Sequence, residues 1–598
     1  MARPGRRAPS TTTPDRGAPA PRRARAGLAA CAGALALLTS LLPGPLEAQG
    51  RGAFRCDGRI VRSIEISPES PFVGGIMRRW QLLTRAIDAL HVTTEAGVVE
   101  RFLLLEQGQP CTELRRAESE RILRAQPYLA GANVETVPDG ETGVIVRVTT
   151  IDEVTIVASV RTRGMAVRGG RIGEDNLFGK GIAADVEWYN GRYGTPAYGA
   201  RVADYQMFSR PYQLEIEARR LDLGEFWEAS LTNPFLTDLQ RFAWRASGGY
   251  DKAYVQYQRG PGLDRHALPT QRQYASVGAV ARIGVPGRLS MFGAALTSER
   301  QTTAGIPVII SDTGVFELPT TLALLGRYPA TGTARANALW GVRNLSFLRV
   351  QGFDALSGVQ DIREGFQLGT LVGRSLTALG ARDDDMFVAA DLYAGFGNPR
   401  SFMMIEARGE ARENLDNNQW DGILGHGEAV WHGRPHDKHT LVATAAWTGA
   451  WRMRVPYQVS LGDRDGGMRG FRDSRVGGGR RTVLRVEERY RLGRYNRQGE
   501  YGIAAFAEAG RLWAGDVPFG TDLPTQASAG VSLLAGFPVG SQRLWRVDLA
   551  FPLTSSGDGR FEIRLSSLNS LRRASDIEPE DVRRSRERAI DPSVYTWP

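Results

Sequence analysis

From about residue 155 to residue 570, apolar and polar residues alternate in short segments. In YQLEIEARR, Tyr212, Leu214, Ile216 and Ala218 share one parity, and Gln213, Glu215, Glu217 and Arg219 take the other. In RLWRVDLAFPL, Trp545, Val547, Leu549, Phe551 and Leu553 oppose Arg546 and Asp548. In RTVLRVEERYRL, Leu484, Val486, Tyr490 and Leu492 oppose Arg485, Glu487, Arg489 and Arg491. A period of two predicts β-strands. Strands with one charged face suit either a sheet with a solvated face or a barrel with lipid outside and water inside. The pattern favours the barrel, because it runs on with no helical segment that would cover a sheet. Trp244, Trp431, Trp451, Trp513 and Trp545 fall near segment ends, as an interfacial girdle requires. Short turns such as 209–211 alternate with long loops such as 300–331 and 454–480. The expectation is a transmembrane barrel over 155–570 with 16 to 18 antiparallel strands, 16 being the preferred count.

The texture differs upstream. Residues 56–152 predict a small α+β domain in the order β-α-α-β-β. GRIVRSIEI reads as a strand, and MRRWQLLTRAIDAL as a helix with Trp80, Leu83, Ile87 and Leu90 on one face. TELRRAESERILRAQPYL reads as a second helix, with Thr112 as N-cap and Leu114, Ile122 and Leu123 apolar. ANVETVP, the Asp139-Gly140 turn and GVIVRVTTI predict a hairpin. Residues 1–48 read as a signal peptide: seven arginines, the apolar run AGLAACAGALALLTSLL, then a cleavage site after Ala48. A lipobox at Cys31 is the weaker alternative, because the apolar run follows that cysteine when it should precede it. The last stretch, 571–598, has six arginines and six acids and is expected to be a solvated tail.

Charge and chemistry narrow the function. The chain of 598 residues has a net charge of +10. Seven arginines against Asp15 and Glu47 place half of that in the leader. The remainder is too mild for a nucleic-acid partner. Cys56 and Cys111 survive the leader, and an even pair outside the cytoplasm predicts one disulfide. His426, His432, His436 and His439 cluster in HGEAVWHGRPHDKH, but turn and strand placement argues against a metal site. Asp383, Asp384 and Asp385 read as a solvated turn. There is no G-x-S-x-G elbow, P-loop or H-E-x-x-H. No enzyme, metal or cofactor is expected.

One loop carries a sharper signal. GDRDGGMRGFRDSRVGGGRR, residues 462–481, holds seven glycines and six arginines around Met468-Arg469-Gly470-Phe471. FAEAG follows at 506–510; Phe506, Glu508 and Gly510 share the lumen parity, and Ala505, Ala507 and Ala509 the lipid parity. A carboxylate in a confined lumen needs a partner, and Arg469 supplies one in bidentate geometry. Gly470 and Gly510 would permit close approach. The arginine is expected to pin the infolded loop to the barrel wall.

These motifs resemble those of the outer-membrane assembly-factor superfamily, which includes BamA, TamA, the two-partner secretion transporters and the bacterial surface antigens. Arg469, Gly470 and Phe471 match its Arg-Gly-Phe loop motif. Phe506, Glu508 and Gly510 match its barrel-wall motif, with Glu508 where Asp is usual. EDNLFGKG (174–181), LTNPFL (231–236) and VDLAFPL (547–553) fit its other patterns. The family usually ends at an aromatic-terminated last strand. Here RFEIRLSSL reads as the last strand, and a tail containing Tyr595 and Trp597 follows. The resemblance implies one periplasmic POTRA domain over 56–152, a 16-stranded outer-membrane barrel, and a part in inserting or translocating proteins. The implied partners are unfolded or secreted outer-membrane proteins, the lipid bilayer and periplasmic accessory proteins. A dedicated two-partner secretion transporter and a passive channel or surface antigen are the alternatives.

Overall fold

The computed structural model describes residues 56–71, 92–569 and 579–588, apart from 164–165, 191–195, 222, 304, 312–313, 318–321, 463–465, 473, 496–497 and 555–560. The leader and the helix expected over 77–90 lie outside the described residues.

The N-terminal module is a three-stranded sheet. Its central strand, Gly143–Asp152, pairs in parallel with Ile60–Glu69 and antiparallel with Leu129–Asp139. Val144, Val146 and Val148 on one parity of the central strand are fully buried. They pack with Val61, Val134, Ile122, Leu123 and Phe102. The helix Glu113–Arg124 begins at Thr112, whose hydroxyl accepts from the Arg115 amide and so satisfies one orphan donor of the first turn. Leu114 faces away, 46% exposed. A short helix not expected from periodicity, Ala96–Glu100, buries Val98 and Val99. Cys56 and Cys111 are joined by a disulfide, with Cα atoms 5.7 Å apart.

Beyond the module the chain closes into one barrel. Among the described residues, twenty long strands form the wall, from Ile156–Arg163 to Glu562–Asn569, and the last lies beside the first. A hairpin of two three-residue strands, Val308–Ile310 and Val315–Glu317, extends one edge. The count exceeds the expected 16. Several neighbours are joined by turns of only two residues: Val285 pairs with Arg288, Asn398 with Ser401 and His436 with His439. So tight a turn leaves almost no gap in the alternating pattern, so two strands read as one.

The barrel surface is inverted relative to a water-soluble protein. Outward residues include Ile172, Val186, Leu296, Val372, Leu484, Ile503, Val531, Leu533 and Ile563, all exposed. Inward residues include Asp185, Arg335, Arg343, Asp385, Glu487 and Asp548, all buried. That is the surface a bilayer-spanning barrel presents. Trp451 and Trp513 each end a strand, and Trp244 and Trp545 each lie third from a strand start. No described helix is long and apolar enough to cross a membrane.

The two rims differ. One carries short turns and holds the N-terminal module. The other carries the long connections 303–330 and 452–479. The strands Arg265–Val285 and Thr331–Gln351, each 21 residues, are about twice the ~10 residues a tilted crossing needs.

Two expectations fail here. Asp385 does not lie in a solvated turn: it is fully buried, 2.8 Å from Arg335 and 3.0 Å from Arg412. A buried carboxylate is tolerated there because two guanidinium groups and the Ser375 hydroxyl hold it. The tail is not simply solvated either. Its described part, 579–588, lies inside the barrel with Val582 fully buried.

Candidate functional site

The loop after the His439–Trp451 strand leaves the rim and folds back into the lumen. Its neck is closed by a two-residue ladder, Val459–Ser460 with Gly477–Gly478. Met468 donates its amide to the Leu461 carbonyl at 2.8 Å. Met468 and Phe471 are buried with Leu461 and Val483. This apolar anchor places Arg469 against the wall.

There the Arg469 Nε donates to Glu508 Oε1 at 2.7 Å, and the Arg469 amide donates to Glu508 Oε2 at 2.7 Å. One carboxylate is thus held by side chain and backbone of the same residue. The guanidinium Cζ sits 3.4 Å above the Phe506 ring, a cation–π contact that also shields the pair from water. The charge cluster is wider than a pair. Arg469 Nη1 reaches Glu487 at 3.1 Å and Asp548 at 3.6 Å. Glu487 also receives Arg489 at 2.6 Å and Arg546 at 2.9 Å. Arg485 lies 3.6 Å from Glu508 and donates to the Gly467 carbonyl at 2.6 Å. Four arginines and three acids therefore join the loop to three wall strands, and each carboxylate faces more than one guanidinium.

The two glycines act at different steps. Gly470 has φ +88°, a backbone that an L side chain adopts only with strain, and its amide donates to Glu562 at 2.7 Å. A Cβ on Gly510 would stand 2.4 Å from the Met468 sulfur and 3.0 Å from a Leu461 methyl, so the loop side chains pack directly on this bare wall position.

Sequence reasoning missed Glu487, Asp548, Arg485, Arg489, Arg546 and Glu562. The signal was present in parity: five of these lie on the charged faces of RTVLRVEERYRL and RLWRVDLAFPL, which point inward. Their meeting depends on the curvature of the closed wall, which brings Arg546 to Glu487 across two intervening strands.

No family model matches the chain, and none of the curated proteins matches it. Among solved structures the chain is similar to BamA from Haemophilus ducreyi lacking POTRA domains 1-3, with 12% identity, 85% of each chain covered and a TM-score of 0.36. It is also similar to CdiB from Escherichia coli, with 13% identity over 88% of this chain and 92% of that one and a TM-score of 0.39. For CdiB from Acinetobacter baumannii the identity is 8% over 86% and 98%, with a TM-score of 0.36. Values this low leave the assignment of function to the residues.

A second constellation joins the module to the barrel. The 174–181 turn docks on the module through Asn176, which donates to the Thr94 hydroxyl at 2.8 Å and accepts from the Gly181 amide at 2.7 Å. Gly179 has no room for a Cβ, which would lie 2.3 Å from the Thr93 carbonyl oxygen. Arg121 donates to the Leu236 carbonyl in the 231–236 motif at 2.6 Å. Arg124 pairs with Asp361 at 2.8 Å. At the barrel entry Glu153 is buried and accepts from the Ser541 hydroxyl at 2.6 Å and the Gln542 amide at 3.1 Å. Burial raises its carboxyl to about 7 against the pull of Arg543 and these hydrogen bonds.

Of the four histidines only His436 and His439 come together, with ring centroids 6.2 Å apart. His426 bonds Thr448 at 2.9 Å, His432 stacks on Phe353 and meets Asp354 at 3.2 Å, and His439 meets Glu488 at 3.0 Å. Among the described residues no group of side chains is arranged to hold a metal.

Proposed function

We propose that this chain is an outer-membrane barrel of the assembly and secretion superfamily that its motifs resemble, and that it moves polypeptide across the membrane as a transporter for a secreted partner. The N-terminal module is then a POTRA domain on the periplasmic side, capturing an extended segment by adding it to a sheet edge. The observation that carries the reading is the pinned loop. A barrel with twenty long strands among the described residues encloses a lumen wider than its own side chains fill. A polar lumen of that width conducts unless something occupies it, and the Arg469 cluster holds the infolded loop inside it without covalent chemistry. No catalysis or cofactor enters.

A second reading is insertion of other barrels through the wall. It is favoured by the junction of first and last strands, each only eight residues, where a lateral opening would cost the fewest backbone hydrogen bonds. The deciding experiment is the outer-membrane and secreted proteome after depletion of this protein. Loss of one secreted protein supports the transporter. A joint fall of many barrels replaces it with the insertion reading. No change replaces both with a passive channel.

A further inference from the structure

The described C-terminal segment, 579–588, lies in the lumen against the pinned loop. Val582 is fully buried among Met453, Tyr457 and Val459 of that loop and Leu424, Ala450 and Leu512 of the wall. The Ser585 hydroxyl lies 3.4 Å from the Pro456 carbonyl. Three consecutive residues of alternating sign then meet wall groups of the opposite sign. Arg586 pairs with Glu410 at 3.0 Å, Glu587 with Arg335 at 3.1 Å, and Arg588 with Asp251 at 3.1 Å.

The backbone is held as well. Arg272 donates to the carbonyls of Arg584 and Arg586, the latter at 2.6 Å. The amides of Glu587 and Arg588 donate to Glu410 at 3.1 Å and Glu299 at 2.8 Å. The wall thus reads both the backbone and the charge order of the segment, from five strands along one arc of the ring, Phe242–Tyr257 round to Ser401–Asn414. A disordered tail resting in a pore would need none of this.

We infer that this part of the lumen is a binding site for a charged peptide of Arg-Glu-Arg order, and that the chain's own C-terminal segment is its resident ligand, closing the pore until it is displaced. All the contacts are non-covalent and reversible. All five wall groups named are charged, so release weakens with falling salt and strengthens with rising salt. The site stands whether the barrel secretes, inserts or conducts.

The test is single-channel conductance of the full chain in planar bilayers, compared with the triple variant Arg586→Glu, Glu587→Lys, Arg588→Glu. The variant is expected to spend at least about ten-fold more time open, and a synthetic peptide of residues 579–588 added to it is expected to restore closure. Wild-type conductance in the folded variant overturns the proposal, as does failure of the peptide to close the open pore. A second measurement is independent of that variant's folding. Ser585→Cys and Pro456→Cys are introduced together, and cross-linking is read in intact membranes. A cross-link that locks the pore shut and releases it on reduction supports the site; wild-type protein under the same reductant controls for Cys56–Cys111. Absence of a cross-link overturns it. A pore that opens on displacement while depletion removes no secreted protein would reject the transporter reading and keep the plug.

Discussion

Arg469 is the residue on which the loop turns. Its side chain and amide both bind Glu508, and its Nη1 reaches Glu487. Removing one partner of a buried ionic cluster leaves the others uncompensated, at a cost of about 3–5 kcal/mol. Arg469→Ala is therefore expected to lower the temperature at which the folded band is lost on semi-native gels, and to impair export. Arg469→Lys is not expected to rescue it, because an ammonium lacks the planar fork that spans two carboxylates. A wild-type melting temperature for Arg469→Ala would falsify the pin. The arginine and Glu508 were legible from the sequence because an inward carboxylate needs a cation. The role of Phe506 was not: that its ring lies under the guanidinium is a fact of rotamer and register.

At the scale of elements, the module and its junction make two predictions. The disulfide spans 55 residues of chain, and in the chain-entropy account a closed loop of that length contributes about 4 kcal/mol. Cys111→Ser is expected to lower the midpoint of module unfolding, followed by limited proteolysis. At the junction, the Glu153 carboxyl is raised from 4.5 to about 7. Between those values the folded junction binds the proton that the unfolded chain releases, so stability falls as pH rises from about 4.5 to about 7 and is level above. Protease sensitivity of the module–barrel connection should be greater at pH 8 than at pH 5. Glu153→Gln, which stays neutral, should abolish the difference. An unchanged pH profile in that variant would reject Glu153 as its source. The helix Glu113–Arg124 and the hairpin after it were legible from capping and alternation. The short helix Ala96–Glu100 was not, because five residues are too few for a period to emerge.

For the whole molecule, the two parities of each strand meet two solvents. Leu533 points outward, 64% exposed, while its neighbour Ser532 is buried and bonded to Asp548. An arginine on the lipid side of a barrel costs up to about 2–4 kcal/mol near the midplane. Leu533 lies three residues from the end of its strand, so Leu533→Arg is expected to destabilise the barrel in lipid vesicles by less than that, read by urea unfolding. The effect should shrink in short-chain detergent that wets the position. Equal stability in both would contradict the outward assignment.

The sequence alone determined what local chemistry can encode. Alternation set the barrel class and which residues face in, turn and cap residues set the ends of several elements, and the arginine-glycine loop with its inward acid marked the candidate site. Only the tertiary structure decided what depends on neighbours across the ring. Strand number was hidden because two-residue hairpins barely interrupt a period of two. The extent of the charge cluster was hidden because Glu487 and the Arg546 and Asp548 side chains lie on strands with two others between them, and they meet only inside the curved wall. The tail, with equal numbers of both signs, reads as solvated in isolation. It is bound because an enclosed polar lumen offers paired charges at fixed spacing, and that lumen exists only once the barrel has closed.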